Sequence, residues 1–454
     1  MTKIKIIRIF LEALIVVMVF FLIEIAYKVE FVRSNIGDVT FKYMNNWMFA
    51  GKTSREKEIL KTEVLVYKID QGYLENQGLL GEYGESSYGE IFPRSKLAAF
   101  VEKIDKMSID SQPLALFIDY VLEQGSASYD HNQTMAYISQ DDMVFLRQLA
   151  HDRVYTILLP KTSVLNFVER YAYEGRDNIS NKLKHKIIDQ EIVFVDVNLL
   201  KDDKIDYRYN PMMHYPNNKG KVYFNVALVG WQLRKYIDTN ETFMELDEIN
   251  TTYPYEVFLD QKSVLKFGEA IIKSNILYKS NNFEGLPNDS NDTKEEISYW
   301  QGLQAYSANV FWHSKDLKFN KHTIVMIGVD FQNYDLHKTS IDTEIPGVLV
   351  HANALKTVLF LDGSLEHLSW KWAFALVFFV FLLVTLLVHY VARLLPEWFS
   401  LIELYIELLL VAMILISLSS YILVEYGKWF NWGIPLVIWL IDDAYEIIRE
   451  KLYT

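Results

Sequence analysis

The 454-residue chain contains no cysteine. That excludes disulfide bonds, thiol catalysis and any zinc site built on sulfur ligands. Catalytic strings are missing too: there is no G-x-S-x-G elbow, no H-E-x-x-H pair, no phosphate-binding loop and no dinucleotide fingerprint. The ten histidines are scattered, with none at metal-ligand spacing. No cofactor or metal is therefore expected, and the chain does not read as an enzyme. Hydrolysis by Asp70, Asp119 and His351 would rest on strand ends alone. Positive charge is also short: 45 Lys and Arg against 58 Asp and Glu leave a net charge of −13. That balance argues against a nucleic-acid partner.

Long apolar runs, by contrast, are present. A helix needs about 20 mostly apolar residues to cross a bilayer. The runs 9–27, 370–392, 399–423 and 429–448 are read as four membrane spans, the last broken by Asp442, Asp443 and Glu446. A signal peptide is the other reading of the first run. Large side chains and Glu24 stand where a small-residue cleavage site belongs, so an uncleaved anchor is expected. Lys3, Lys5 and Arg8 place residues 1–8 in the cytoplasm, and Arg393, Arg449 and Lys451 agree. The tail 449–454 is then cytoplasmic, and residues 28–369 form one domain outside the inner membrane. Without disulfides that domain must rest on its own core, which its size allows.

Within 28–369 short β-branched runs alternate with helical periodicity. Glu63–Ile69, Leu114–Leu122, Val154–Leu159, Ile192–Val197 and Thr323–Ile327 read as strands. Ser95–Met107, Asp142–Ala150, Phe224–Tyr236, Ser263–Ser274 and Val348–Leu361 read as helices. Residues 216–220 and 281–294 read as loops. The alternation predicts an α/β domain with a mixed, partly parallel sheet. Asp70 and Asp119 fall at the ends of the first two strands, and Gly328 and Asp330 end a later one. Ligands of open α/β sheets bind beyond the carboxyl ends of strands. The alternative is structural: these carboxylates cap turns or pair with Arg94. Pro346 and Gly347 start a helix that places His351 one turn in, with Asn353 and Asn333 as neighbours. A helix N-terminus suits an anion or carboxylate. His351 and Asn353 could equally lock the preceding loop.

The strings EVLVYKID (63–70), FPRSKLAAFVEKI (92–104) and PLALFIDYVLEQ (113–124), then Asp141 and Leu146, resemble the type-two CHASE domain. HTIVMIG (322–328), Asp335, Thr339 and IPGVLVHANAL (345–355) extend the resemblance, as does one span before the domain and three after it. DKIDYR (203–208) departs from the family's D-G-x-x-R turn. The resemblance implies an extracytoplasmic sensory domain in a bacterial inner membrane, of a kind associated with cyclases and histidine kinases. It implies no ligand, because none defines the family. Members usually carry an enzyme after the third span, whereas six residues follow Ile448 here. The expectation is a chain that signals through its spans to a separate membrane partner.

Glu12, Glu403, Glu407 and Asp442 fall inside the predicted spans, where carboxylates are costly and face partners. Glu403 and Glu407 share one helix face. Three readings stand: pairing with Arg8, Arg393 and Arg449; docking a basic residue of a partner's span; or holding a proton or cation. The functional expectation is a sensory subunit that binds a ligand or an envelope protein, as a homo- or hetero-oligomer. The alternative is a scaffold subunit of an envelope complex with no small ligand.

Overall fold

β1 (Val64–Asp70) is apolar apart from Lys68 and Asp70 near its carboxyl end, and every residue except the last is buried. A strand hidden on both faces belongs inside a parallel sheet covered by helices. It leads to α1 (Gln71–Asn76) and α2 (Arg94–Asp105). Then follow β2 (Ala115–Asp119), α3 (Gln140–Leu149) and β3 (Thr156–Lys161). α4 (Phe167–Glu174) and α5 (Asn178–Ile188) precede β4 (Ile192–Asp196). Local chemistry sets the helix starts. Ser139 and Asp142 form a reciprocal capping box at α3, and Asp177 and Ser180 form one at α5.

The structure is a computed structural model. It describes residues 62–81, 92–120, 138–161, 166–197, 199–200, 208–209, 212–214, 222–239, 256–259, 262–266, 274–275, 303–315, 317–331, 336–338, 344–361, 366–392, 403–426 and 428–429, with the single residues Glu85, Leu122 and Trp432. After β4 come the short strands β5 (Leu199–Leu200), β6 (Arg208–Tyr209), β7 (Met212–His214) and β8 (Val222–Phe224), then α6 (Val226–Thr239). β9 (Glu256–Leu259), β10 (Lys262–Lys266) and β11 (Ser274–Asn275) precede β12 (Leu303–Ser307) and α7 (Ala308–His313). β13 (Ile324–Asp330), β14 (Leu336–Lys338), β15 (Glu344–Pro346) and α8 (Gly347–Leu361) complete this part of the chain.

Six strands form one sheet in the order β12-β1-β13-β2-β3-β4, and every neighbouring pair is parallel. The expected α/β class holds, but the main sheet is wholly parallel rather than mixed. The antiparallel pairs lie in separate two- and three-stranded sheets. Burial on both faces gives the reason, since a strand without a solvent face suits parallel pairing under helices. Crossovers that step in one direction, β1 to β2, β2 to β3, β3 to β4 and β12 to β13, carry α1–α5 and α7. The core of that face includes Leu65, Tyr67, Phe100, Leu146, Leu183 and Phe311. The return from β4 to β12 carries α6, which packs with α8 over the opposite face. A constant right-handed crossover requires that division of faces.

One expected helix is corrected. Lys262–Lys266, inside the reading of Ser263–Ser274, is a strand paired antiparallel with β9. Val257 and Val264 and the two-residue link between the runs favour a hairpin over a helix. The expected loops 216–220 and 281–294 lie outside the described residues.

The chain divides into two compact units: the sheet domain, and a second unit with two long apolar helices. In the latter, β16 (Glu366–His367) precedes α9 (Trp370–Ala392), and α10 (Glu403–Tyr426) precedes β17 (Lys428–Trp429). Ala373, Val377, Phe381, Val384 and Val388 line one stripe of α9 and pack with Val411 and Leu415 of α10. The far side of α9 is apolar and open: Phe379 is 64% exposed and Leu383 63%. Among the described residues, one helical segment, Lys371–Val391, is long and apolar enough to cross a membrane. α10 has a shorter apolar run, Leu409–Leu423. The first expected span, 9–27, and nearly all of the last, 429–448, lie outside the described residues.

Candidate functional site at the carboxyl edge of the sheet

The parallel sheet gathers its polar side chains at the carboxyl ends of β1, β13 and β2. β1 and β2 hand the chain to helices on one face, whereas β13, which lies between them, hands it to α8 on the other. Such a reversal opens a crevice beyond the strand ends. Lys68, Gly328 and Asp119 are register neighbours across the three strands, and Asp70 is beside Asp330.

Asp70 ends β1 and caps α1. Its Oδ1 accepts from the Tyr73 amide at 2.9 Å and from Ser307 Oγ at 2.9 Å. Ser307 is itself the cap of α7. One carboxylate thus ties two helix starts together. Burial pushes the Asp70 carboxyl above its usual range, against the Tyr73 amide, Ser307 and Lys68, which pull it down, while Asp330 adds to the rise. Lys68 Nζ meets Asp330 Oδ2 at 2.7 Å, with both side chains mostly buried.

Asp119 and His351 also come together. His351 Nε2 is 4.0 Å from Asp119 Oδ2, and its ring stands edge-on to Phe117 at 5.7 Å. Gly328 permits this. A Cβ added there would lie 2.5 Å from the Val348 Cβ, so only glycine lets the first turn of α8 lie this close to β13. Three carboxylates, an ammonium, an imidazole and a hydroxyl converge. Groups of this kind can hold a polar molecule by charge and hydrogen bonds.

Two expected site residues do not join them. Arg94 is buried at the start of α2, its guanidinium 5.6 Å from the Phe167 ring centroid. Burial lowers its pKa to about 10, while Asp142, Tyr120 and Asp141 raise it. The carboxylate of Asp141 accepts the Arg94 and Ser95 amides at 2.5 and 3.0 Å, so this corner fixes α2 against α3. Asn353 turns back on its own helix: Nδ2 donates to the Leu349 carbonyl at 2.8 Å. Neither takes the structural role expected of it: Arg94 serves the α2–α3 corner rather than the strand-end carboxylates, and Asn353 bonds its own helix rather than the preceding loop.

In the helical unit, Glu407 is buried and accepts a hydrogen bond from Thr385 of α9, so it binds the hairpin together. Glu403 begins α10 one turn earlier. Glu12, Asp442 and Asn333 lie outside the described residues.

Sequence reasoning missed Lys68 and Ser307, which sit in apolar or short polar runs. Only the pairing of β1 with β12 and β13 reveals them. It also missed the amino edge. There Lys356 of α8, fully buried, donates to the Thr62 carbonyl at 2.6 Å, and Arg234 of α6 donates to the Thr62 hydroxyl at 2.8 Å. Burial pushes Lys356 down to about 7, and Glu63 opposes it. A lysine at i+5 from His351 on an apolar helix was the available signal.

Comparison with curated proteins gives no match, and neither does comparison with solved structures. The model of the CHASE2 domain matches residues 14–388, most of the chain. That family comprises extracytoplasmic sensory domains, which implies a membrane protein with an external domain. The parallel sheet with its polar carboxyl edge and the apolar α9 both fall within the matched span, and the chain belongs to the CHASE2 domain family.

Proposed function

We propose that this protein is a sensory subunit of a bacterial inner membrane. Its external domain binds a ligand at the carboxyl edge of β1, β13 and β2 and signals through its membrane helices to a separate membrane protein. The convergence of Lys68, Asp70, Asp330, Asp119 and His351 at one connection reversal is the observation that carries this reading. The role is binding without turnover. Four spans hold the protein, with residues 28–369 outside. Support comes from α9, whose length and open apolar side suit lipid, and from the apolar run of α10 packed against it. Glu407 bonded to Thr385 supports a hairpin that moves as one piece.

Native mass spectrometry of the full-length protein released from mild detergent tests the reading. A small molecule leaving with the wild type, and absent from Asp119→Asn and Lys68→Met, is expected. A protein partner held stoichiometrically with no small molecule on either form would favour the scaffold reading instead. Reporter fusions near residues 58 and 395 should report opposite sides of the membrane; the same side for both would overturn the topology.

A further inference from the structure

A second polar row lies at the carboxyl ends of β3 and β4. Lys161 ends β3, Asp196 ends β4, and Asn225 follows β8. Lys161 and Asp196 are register partners, and Asp196 bridges to Asn225, so the three stand side by side. Strand alternation turns them toward the α1–α5 face, because Ile157, Leu159, Ile192, Phe194 and Tyr223 share their parity and belong to that core. All three are fully buried, as is nearly all of Glu169 on α4. Lys161 Nζ lies 2.5 Å from Glu169 Oε2 and 5.2 Å from the Tyr223 ring centroid. Burying so many charges is costly unless each finds a partner.

Asn225 is the residue that stands out. Its Oδ1 accepts the Ala227 amide at 3.0 Å and so caps α6. That bond fixes which end of the amide is oxygen, and the other end is therefore the NH2 group. This Nδ2 has no hydrogen-bond partner among the described residues, although the residue is 0% exposed. Buried donors without acceptors are rare and call for an explanation. Here the donor sits at the N-terminus of the 14-residue α6. The chain also reverses here: β3 passes to α4 on one face, and β4 leads on to α6 on the other. That is where open α/β sheets bind ligands, and where a helix end favours a negative group.

We propose that this row is a second binding site, for a small zwitterion of amino-acid type. The carboxylate of the ligand takes Asn225 Nδ2, with the Lys161 ammonium and the start of α6 around it. The ammonium of the ligand faces Asp196 and Glu169. Charge selects this class. A bare anion would meet two carboxylates, and a bare cation would meet Lys161 and the helix N-terminus, whereas a zwitterion meets opposite charge at each end. The site is distinct from the one at β1, β13 and β2, whose Lys68, Asp119 and Asp330 have the strand parity of the α8 face.

The experiment uses full-length protein in mild detergent, with thermal shift and calorimetry. The probes are glycine, alanine, serine, glutamate and lysine at about 10 mM, with acetate and ethylammonium as controls. At least one amino acid should raise Tm saturably, and neither control should. Asn225→Asp and Asn225→Ser keep a capping oxygen for Ala227 but lose the amide donor. Each should weaken binding tenfold or more, while Asp70→Asn leaves it unchanged. No shift with any amino acid would overturn the proposal, as would an equal shift in both Asn225 variants. A shift abolished by Asp70→Asn would place the ligand at the first edge and equally reject the second site. A liganded crystal showing water alone on Asn225 Nδ2 would also reject it.

Discussion

The sheet domain and the α9–α10 hairpin handle apolar surface in opposite ways. In the sheet domain both faces of the strands are covered, and polar groups are pushed to the strand ends. In the hairpin one stripe is packed, the outer side stays apolar, and the polar contact Glu407–Thr385 is inside. The first pattern suits water outside and the second suits lipid. The same amino-acid types therefore mean different things in the two units. A buried carboxylate stands at a strand end in one and bonds helix to helix in the other.

Core substitutions should separate the units most strongly. Phe100 is fully buried among Tyr73, Phe311 and Trp312. Phe100→Ala should cost about 3–5 kcal/mol in chemical denaturation of the sheet domain. It should leave membrane insertion of the hairpin untouched. The converse change is Leu383→Arg on the open side of α9. It should raise the cost of insertion by about 2.5–3.5 kcal/mol, read by a glycosylation or protease-protection assay, with the denaturation midpoint of the domain unchanged. If Leu383→Arg inserts normally and destabilises the domain, the contrast between the units fails.

Smaller effects sharpen it. Ser139→Ala removes the side chain that accepts the Asp142 amide at 3.0 Å and should cost about 1 kcal/mol in the sheet domain. Asp70→Asn probes the strand-end carboxyl through pH. The folded pKa of Asp70 is raised by burial, so the native state holds its proton more tightly than the unfolded chain. The contribution is favourable below about pH 3.9, the unfolded value, and is lost as pH rises through the folded value. Asn keeps an oxygen for Tyr73 and Ser307 and cannot ionise. Asp70→Asn should therefore match the wild type at acid pH and equal or exceed its stability at neutral pH. A loss confined to neutral pH would show that the ionised carboxylate is stabilising there.

Legibility differed along the chain. α9 was read at its observed ends, Trp370 and Ala392, because an unbroken apolar run needs no tertiary context. β1, β2 and β13 are legible for a related reason: a strand buried on both faces is apolar along most of its length, with its polar residues near the carboxyl end. β12 (LQAYS) was not, because it is an edge strand that hides only part of its surface, and Gln304 and Ser307 interrupt the run. The site was half legible. Asp70, Asp119 and Asp330 were visible as strand ends, and His351 as a helix start. Arg94 looked like their partner and instead serves the α2–α3 corner.

The apolar runs, the absence of sulfur chemistry, the strand and helix alternation and the family strings can all be read along the chain. Each is a local property, set by residue type and spacing. Which strand ends meet depends instead on the packing of distant segments. β13 enters between β1 and β2 after more than 200 residues of intervening chain, and only that insertion joins Lys68 to Asp330 and Asp119 to His351. Parallel pairing is non-local, because every pair needs a crossover connection, and its backbone hydrogen bonds do not depend on which side chains the partner strand carries. What selects the partner is the fit of whole faces under α6 and α8, down to a glycine at 328 that allows Val348 to close on the sheet.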